Sequence, residues 1–177
     1  HRALGLVRPF QLMGAGMENT RMTDEDLFAA AIAAARRSPD QVRKVGAVLL
    51  PADGTAPIAR CNTFPGGVTD TAQRHLGDGR LIWMEHAERN AIYAAAREGR
   101  STDGATLAST YFPCTDCARA IVQAGIRRLV TLAPVPDDPV WGASFGPSET
   151  MLREAGVQIT IAGRDPAEVH AATMRPG

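Results

Sequence analysis

His86 and Glu88 stand two positions apart, and Cys114 and Cys117 stand three apart behind Pro113. These are the residues whose types and spacing could do chemistry. One imidazole and two thiolates are ligands for Zn²⁺, and three protein ligands leave a fourth tetrahedral position open to water, the pattern of a catalytic rather than a structural zinc site. Water held there ionises near neutral pH and becomes a nucleophile. Glu88 is not needed as a ligand, so beside the metal it can act as a proton shuttle. The chemistry this set predicts is metal-assisted hydrolysis.

The elements around these residues are predicted to aim them at one spot. Pro113 biases Phe112 toward extended geometry and ends a strand there. A helix over 115–124 follows, with Cys114 and Cys117 in its opening turn and on one face. His86 and Glu88 likewise sit where a helix over 87–97 begins. Two helix N-termini then converge, and their partial positive charge favours the thiolate form that binds metal.

The rest of the chain alternates in a way that can support this. Thr23 reads as the N-cap of an alanine-rich helix running to Arg37, stopped by Ser38-Pro39-Asp40. A strand over 45–50, a turn at Asp53-Gly54, and a return strand over 58–61 make a hairpin. Residues 62–80 are rich in Gly, Thr, Asp and Pro and are expected to form a loop over the active site. Strands over 105–112 and 127–133, joined by the 115–124 helix, form a right-handed parallel crossover. Pro134 to Pro147 is a second loop, Ser148 is expected to cap a helix to Ala155, and a strand over 157–162 and a helix over 166–174 close the chain. The sum is an α/β domain over 23–177 with about five strands and helices on both faces; residues 1–22 are an N-terminal extension left out of this reading.

Bulk properties narrow the classes of function. Among 177 residues, 19 basic and 19 acidic side chains cancel, which gives no global attraction to nucleic acid or to an anionic membrane. Three cysteines make no disulfide framework, no apolar run reaches the length of a membrane span, and the first 16 residues hold no apolar core of signal-peptide length. The expectation is a cytoplasmic protein without a nucleic-acid or membrane partner. Taken singly, Cys114 and Cys117 also fit a redox pair, and Cys61 as a fourth ligand would make a structural zinc module. His75, near Asp70 and Asp78, reads as a second metal ligand with Cys61 or as an exposed loop histidine. Trp141 could stack on a bound ring or anchor its own loop. Arg36-Arg37, Arg43-Lys44 and Arg127-Arg128 are phosphate candidates or solvated surface.

The combined motif, His-x-Glu followed by Pro-Cys-x-x-Cys, is the signature of zinc nucleobase deaminases. The chain resembles the cytidine deaminase superfamily, and within it the deoxycytidylate (dCMP) deaminase branch. The resemblance runs from about Val45 to Ala133, carried by Val45-Gly46-Ala47, Asn62, Phe64-Pro65, Gly67-Val68, Asp70, His86–Ile92, Phe112-Pro113-Cys114, Cys117-Ala118, Ile121 and Gln123–Ile126, and more loosely to Ala162. It implies a three-layer α/β/α fold with a mixed sheet of about five strands. It also implies hydrolytic replacement of an exocyclic amine on a pyrimidine nucleotide, with Glu88 catalytic and zinc on His86, Cys114 and Cys117. Substrate contacts would come from Asn62 to a sugar hydroxyl, from the backbone at Ala87 to the base, and from Val45. Members of the branch form homo-oligomers, often hexamers, and many respond to dCTP and dTTP. Where the branch usually carries Gly-Tyr-Asn-Gly, this chain has Arg60-Cys61-Asn62-Thr63, so a nucleoside, a free base or another amino-heterocycle is the alternative substrate. Similar zinc motifs occur in tRNA-editing deaminases, a reading the balanced charge disfavours because phosphate contacts need Lys and Arg.

Overall fold

The computed structural model describes residues 22–175; the 1–22 extension thus lies, Met22 apart, outside the described residues. In chain order the elements are α1 (Asp24–Ala35), β1 (Gly46–Leu50), β2 (Ile58–Cys61), a 3₁₀ turn (Ala72–His75), α2 (Gly79–Trp83), α3 (Ala87–Arg97), β3 (Thr106–Ser109), α4 (Thr115–Gln123), β4 (Arg128–Thr131), α5 (Gly142–Glu154), β5 (Gln158–Ile161) and α6 (Pro166–Met174). The strands form one mixed sheet in the order β2-β1-β3-β4-β5. β1 runs antiparallel to both β2 and β3, while β3, β4 and β5 are parallel.

Strand side chains alternate between faces with a period of two, and both faces here are apolar. Ala47, Leu49, Leu107 and Leu129 point to one side, where they pack with Ala87, Ala91 and Ala95 of α3, Ala118 and Ile121 of α4, and Leu152 of α5. Val48, Ala108 and Val130 point to the other, against Leu27, Phe28 and Ala31 of α1 and Val169 of α6. The result is the three-layer α/β/α arrangement that the sequence implies. Thr23 caps α1 in a reciprocal box with Asp26.

The sequence expectation fails in three places, the first being that β3 stops at Ser109 rather than running to Phe112. α5 begins at Gly142, not at Ser148, and runs through Pro147. Ser148 caps nothing; its hydroxyl donates to the Pro113 carbonyl at 2.7 Å. The added turn is held by Phe145, which is buried and packs edge-on against Tyr111 and Phe112, so tertiary packing overrides the propensity signal of proline. The segment 62–80 is also less irregular than its composition suggests. Thr63 and Glu85 exchange two backbone hydrogen bonds that pinch the chain around the segment, the 3₁₀ turn forms within it, and α2 starts at its end.

Candidate active site

β3 ends at Ser109 in the middle of the sheet, and its chain continues into Cys114, the N-cap residue of α4. His86 is the N-cap residue of α3. Neither cap uses its side chain on its own helix, so both side chains are free for another partner. Arg89 ties the two helix starts together, bonding Glu85 at 2.5 Å and Asp116 at 3.4 Å. Both helix N-termini therefore meet at one end of the sheet.

At that meeting point, Nδ1 of His86 lies 3.6 Å from Sγ of Cys114 and 3.4 Å from Sγ of Cys117. All three ligand atoms fall within 4.8 Å of one another, the one such group among the described residues. Zinc–sulfur bonds of about 2.3 Å and zinc–nitrogen bonds of about 2.05 Å at tetrahedral angles require N···S edges of about 3.6 Å. The donor set and its spacing fit a zinc ion. Cys61 does not join it; it lines a separate groove with Arg37, Arg60 and Asn90. His75 pairs instead with Asp70 at 2.6 Å and packs on Phe64, so among the described residues it forms no metal group with Cys61.

Glu88 is 3% exposed, in the first turn of α3. Its Oε1 accepts from the Ser109 hydroxyl at 3.1 Å and its Oε2 from the Cys117 thiol at 3.6 Å. Burial pushes its carboxyl above the usual range. Cys114 is drawn the other way, to about 4, first by the hydrogen bond from Cys117 and then, against its burial, by His86. Burial alone would lower the His86 imidazole, but its bond to Cys114 and the charge of Glu88 outweigh it and leave the ring raised.

One pocket opens on these groups. Val45, Asn62, Ala87 and Trp141, the substrate contacts expected from sequence, all line it with His86, Glu88 and Cys114. Trp141 meets the His86 ring edge-on with centroids 5.0 Å apart. Asn62 is committed to the wall: its Oδ1 accepts from the Val45 N–H at 2.8 Å, and its Nδ2 donates to Asp40 at 3.2 Å and to the Arg43 carbonyl at 3.0 Å. With both N–H donors used, a lone pair on Oδ1 is what it has left for a ligand hydroxyl.

Among the polar lining residues, Asp40, Arg80 and Tyr111 escaped the sequence reading, and Arg43, a phosphate candidate or solvated surface in that reading, lines the pocket as well. Arg80 binds Asp40 at 3.1 Å, and Arg43 binds Asp138 at 2.7 Å while lying over the Tyr111 ring. Asp138 also accepts from the Tyr111 hydroxyl at 2.7 Å and from the Trp141 N–H at 2.7 Å. Burial would raise its carboxyl, yet these donors hold it at about 2. Nothing in the spacing of Asp40, Arg43, Tyr111 and Asp138 announces such a cluster, because its members come from three separate segments.

With this geometry in view, the comparisons with known proteins are specific. The family described as the cytidine and deoxycytidylate deaminase zinc-binding region matches residues 21–133, and the chain belongs to it. An uncharacterised deaminase from the luxG 3′ region of Aliivibrio fischeri is 32% identical over 124 residues, 70% of this chain and 82% of that protein. The deoxycytidylate deaminase of Enterobacteria phage T2 is 44% identical over 75 residues, 42% of this chain and 36% of the phage protein, so the chain matches only about a third of that relative's length. The dCMP deaminase of cyanophage S-TIM5 shares the fold, with a TM-score of 0.62 at 23% identity over 78% of this chain and 96% of that one. A Thermotoga maritima diaminohydroxyphosphoribosylaminopyrimidine deaminase/reductase superposes with a TM-score of 0.59 at 26% identity, over 84% of this chain and 38% of that one. The protein is thus a member of a family of deaminases, hydrolytic enzymes, and its matched region is a zinc-binding one.

Proposed function

We propose that the protein hydrolyses the exocyclic amine of an aminated pyrimidine nucleotide of the dCMP type, leaving a ring carbonyl and releasing ammonia. The observation that carries this reading is the N···S spacing of His86, Cys114 and Cys117 with the Glu88 carboxylate beside them. Those three side chains would hold the zinc. When bound, the ion supplies the Lewis acidity that makes a water nucleophilic near neutral pH.

Glu88 would take one proton from the attacking water and deliver it to the ring nitrogen next to the amine, then move the second, from the new ring hydroxyl, to the amine, which leaves as ammonia while the carbonyl forms. Its burial keeps the carboxyl above the ordinary range, which suits a group that must both accept and return a proton. Trp141 would wall one side of the ring, the Ala87 backbone and Val45 would bound another, and Asn62 Oδ1 would accept from a sugar hydroxyl. The 44% identity over 75 residues to the deoxycytidylate deaminase of phage T2 supports a deoxycytidylate-type substrate. Family likeness also supports a homo-oligomer, for which the exposed Leu76, Ile82, Trp83 and Val140 offer apolar surface.

One observation favours a second reading, a nucleoside or a free base. Both guanidinium groups in the pocket are already matched by buried carboxylates, Arg43 by Asp138 and Arg80 by Asp40. A phosphate dianion entering there would have to compete with those pairs. Ammonia release from dCMP, CMP, deoxycytidine, cytosine and guanine separates the readings. The proposal expects dCMP to be processed fastest; faster release from deoxycytidine or cytosine selects the second reading, and release from none of the cytosine compounds overturns both.

A further inference from the structure

We propose that Ser109 is a positioning residue that fixes the working orientation of Glu88. The inference rests on the reading of Glu88 as the proton carrier. Glu88 reaches the site from the first turn of α3 on a side chain with three rotatable bonds. A carboxylate of that length can swing away from the reacting atoms unless something holds it.

Ser109 is placed to do so. It lies at the end of β3, the central strand of the sheet, in register with Ala47 of β1 on one side and Thr131 of β4 on the other. Its side chain is fully buried, so the scaffold leaves it little freedom. Its Oγ accepts from the Tyr111 N–H at 3.4 Å, which directs the hydroxyl hydrogen along the 3.1 Å contact to Glu88 Oε1. Pinning Oε1 leaves Oε2, on the side of Cys117 and the metal ligands, as the oxygen that carries the proton.

Ser109 is therefore a group that acts through Glu88, itself neither a pocket-lining residue nor one of the metal-ligand group. Removing it should lower turnover and leave binding alone. Ser109→Thr and Ser109→Val are the informative pair, since they add the same bulk and differ only in the hydroxyl; Ser109→Ala removes the hydroxyl without adding bulk. The substrates are dCMP and deoxycytidine, with Glu88→Gln as the reference.

A hydrogen bond to a charged group is worth roughly a 10- to 100-fold change in rate. Ser109→Ala and Ser109→Val should lose kcat by about that factor, with KM within about 2-fold and one zinc per chain retained. Ser109→Thr should recover most of the loss relative to Val. Crystal structures of the zinc-loaded variants should show the Glu88 carboxylate rotated in Val and Ala and unmoved in Thr, a readout that does not depend on knowing the substrate. Equal kcat for Thr and Val, or an unmoved Glu88 in the Val variant, overturns the inference. Full activity in Glu88→Gln would instead overturn the role of Glu88 itself, so the two failures are distinct.

Discussion

Two carboxylates of this molecule are held in opposite states by their surroundings. Glu88 is pushed up by burial, and Asp138 is held down by four donors. In the proposed function the first belongs to the group that trades protons, while the second braces a wall. Thiols divide in the same way: Cys114 and Cys117 face His86, whereas Cys61 ends β2 over another groove. Cys61→Ser should therefore leave zinc content at one per chain, measured by atomic emission on the purified protein; loss of zinc would mean that Cys61 completes a closed four-ligand site. The zinc set was legible in the sequence because each half is local, a His and a Glu two apart and two Cys three apart. Ser109, Arg43 and Asp138 were not, since each finds its partner more than 20 residues away and nothing in local spacing encodes that meeting.

At the scale of elements, the two helix starts are only as well placed as the strands beneath them. β1 packs against α1 so closely that a Cβ on Gly46 would fall 2.0 Å from the Ala31 carbonyl oxygen and 2.5 Å from the Ala35 nitrogen, both rigid backbone. Gly46→Ala must push α1 off the sheet, and overpacking of that kind typically costs about 1–3 kcal/mol. The variant should melt several degrees below the parent in differential scanning calorimetry, and an unchanged melting temperature would contradict the packing described. The segment that carries Trp141 depends on Asp138 in a pH-dependent way. Its folded pKa, about 2, lies below the ordinary carboxylate value, so its stabilisation is present above about pH 4 and is lost as pH falls toward 2. Asp138→Asn should be less stable than the parent by about 2 kcal/mol at neutral pH, with the gap closing toward pH 2. A gap that stays constant with pH would show that the carboxylate is not held down by these donors. Here too the sequence was only partly readable. The β3-α4-β4 crossover follows from periodicity and its Gly125 stop, while the start of α5 does not, because burial of Phe145 carries the helix back beyond Pro147.

Over the molecule as a whole, a sheet apolar on both faces supports one reactive end. The chain order β2-β1-β3-β4-β5 places β3 at the centre, and the site grows from the end of that strand and from the two helices beside it. Balanced charge suits a small-molecule substrate better than a polyanion, and among the described residues no helix is long and apolar enough to cross a membrane. The central claim is that this end of the molecule performs hydrolysis on a bound zinc with Glu88 moving the proton. Glu88→Gln tests it most directly, because the amide keeps size and polarity but neither accepts nor returns a proton. Zinc content and ammonia release are measured on the same preparation, with dCMP and deoxycytidine. The three ligands are untouched, so zinc should remain at one per chain while turnover falls by about 10²–10⁴-fold, the scale of a general acid–base role. Zinc retained with more than a tenth of the parent turnover would contradict the account.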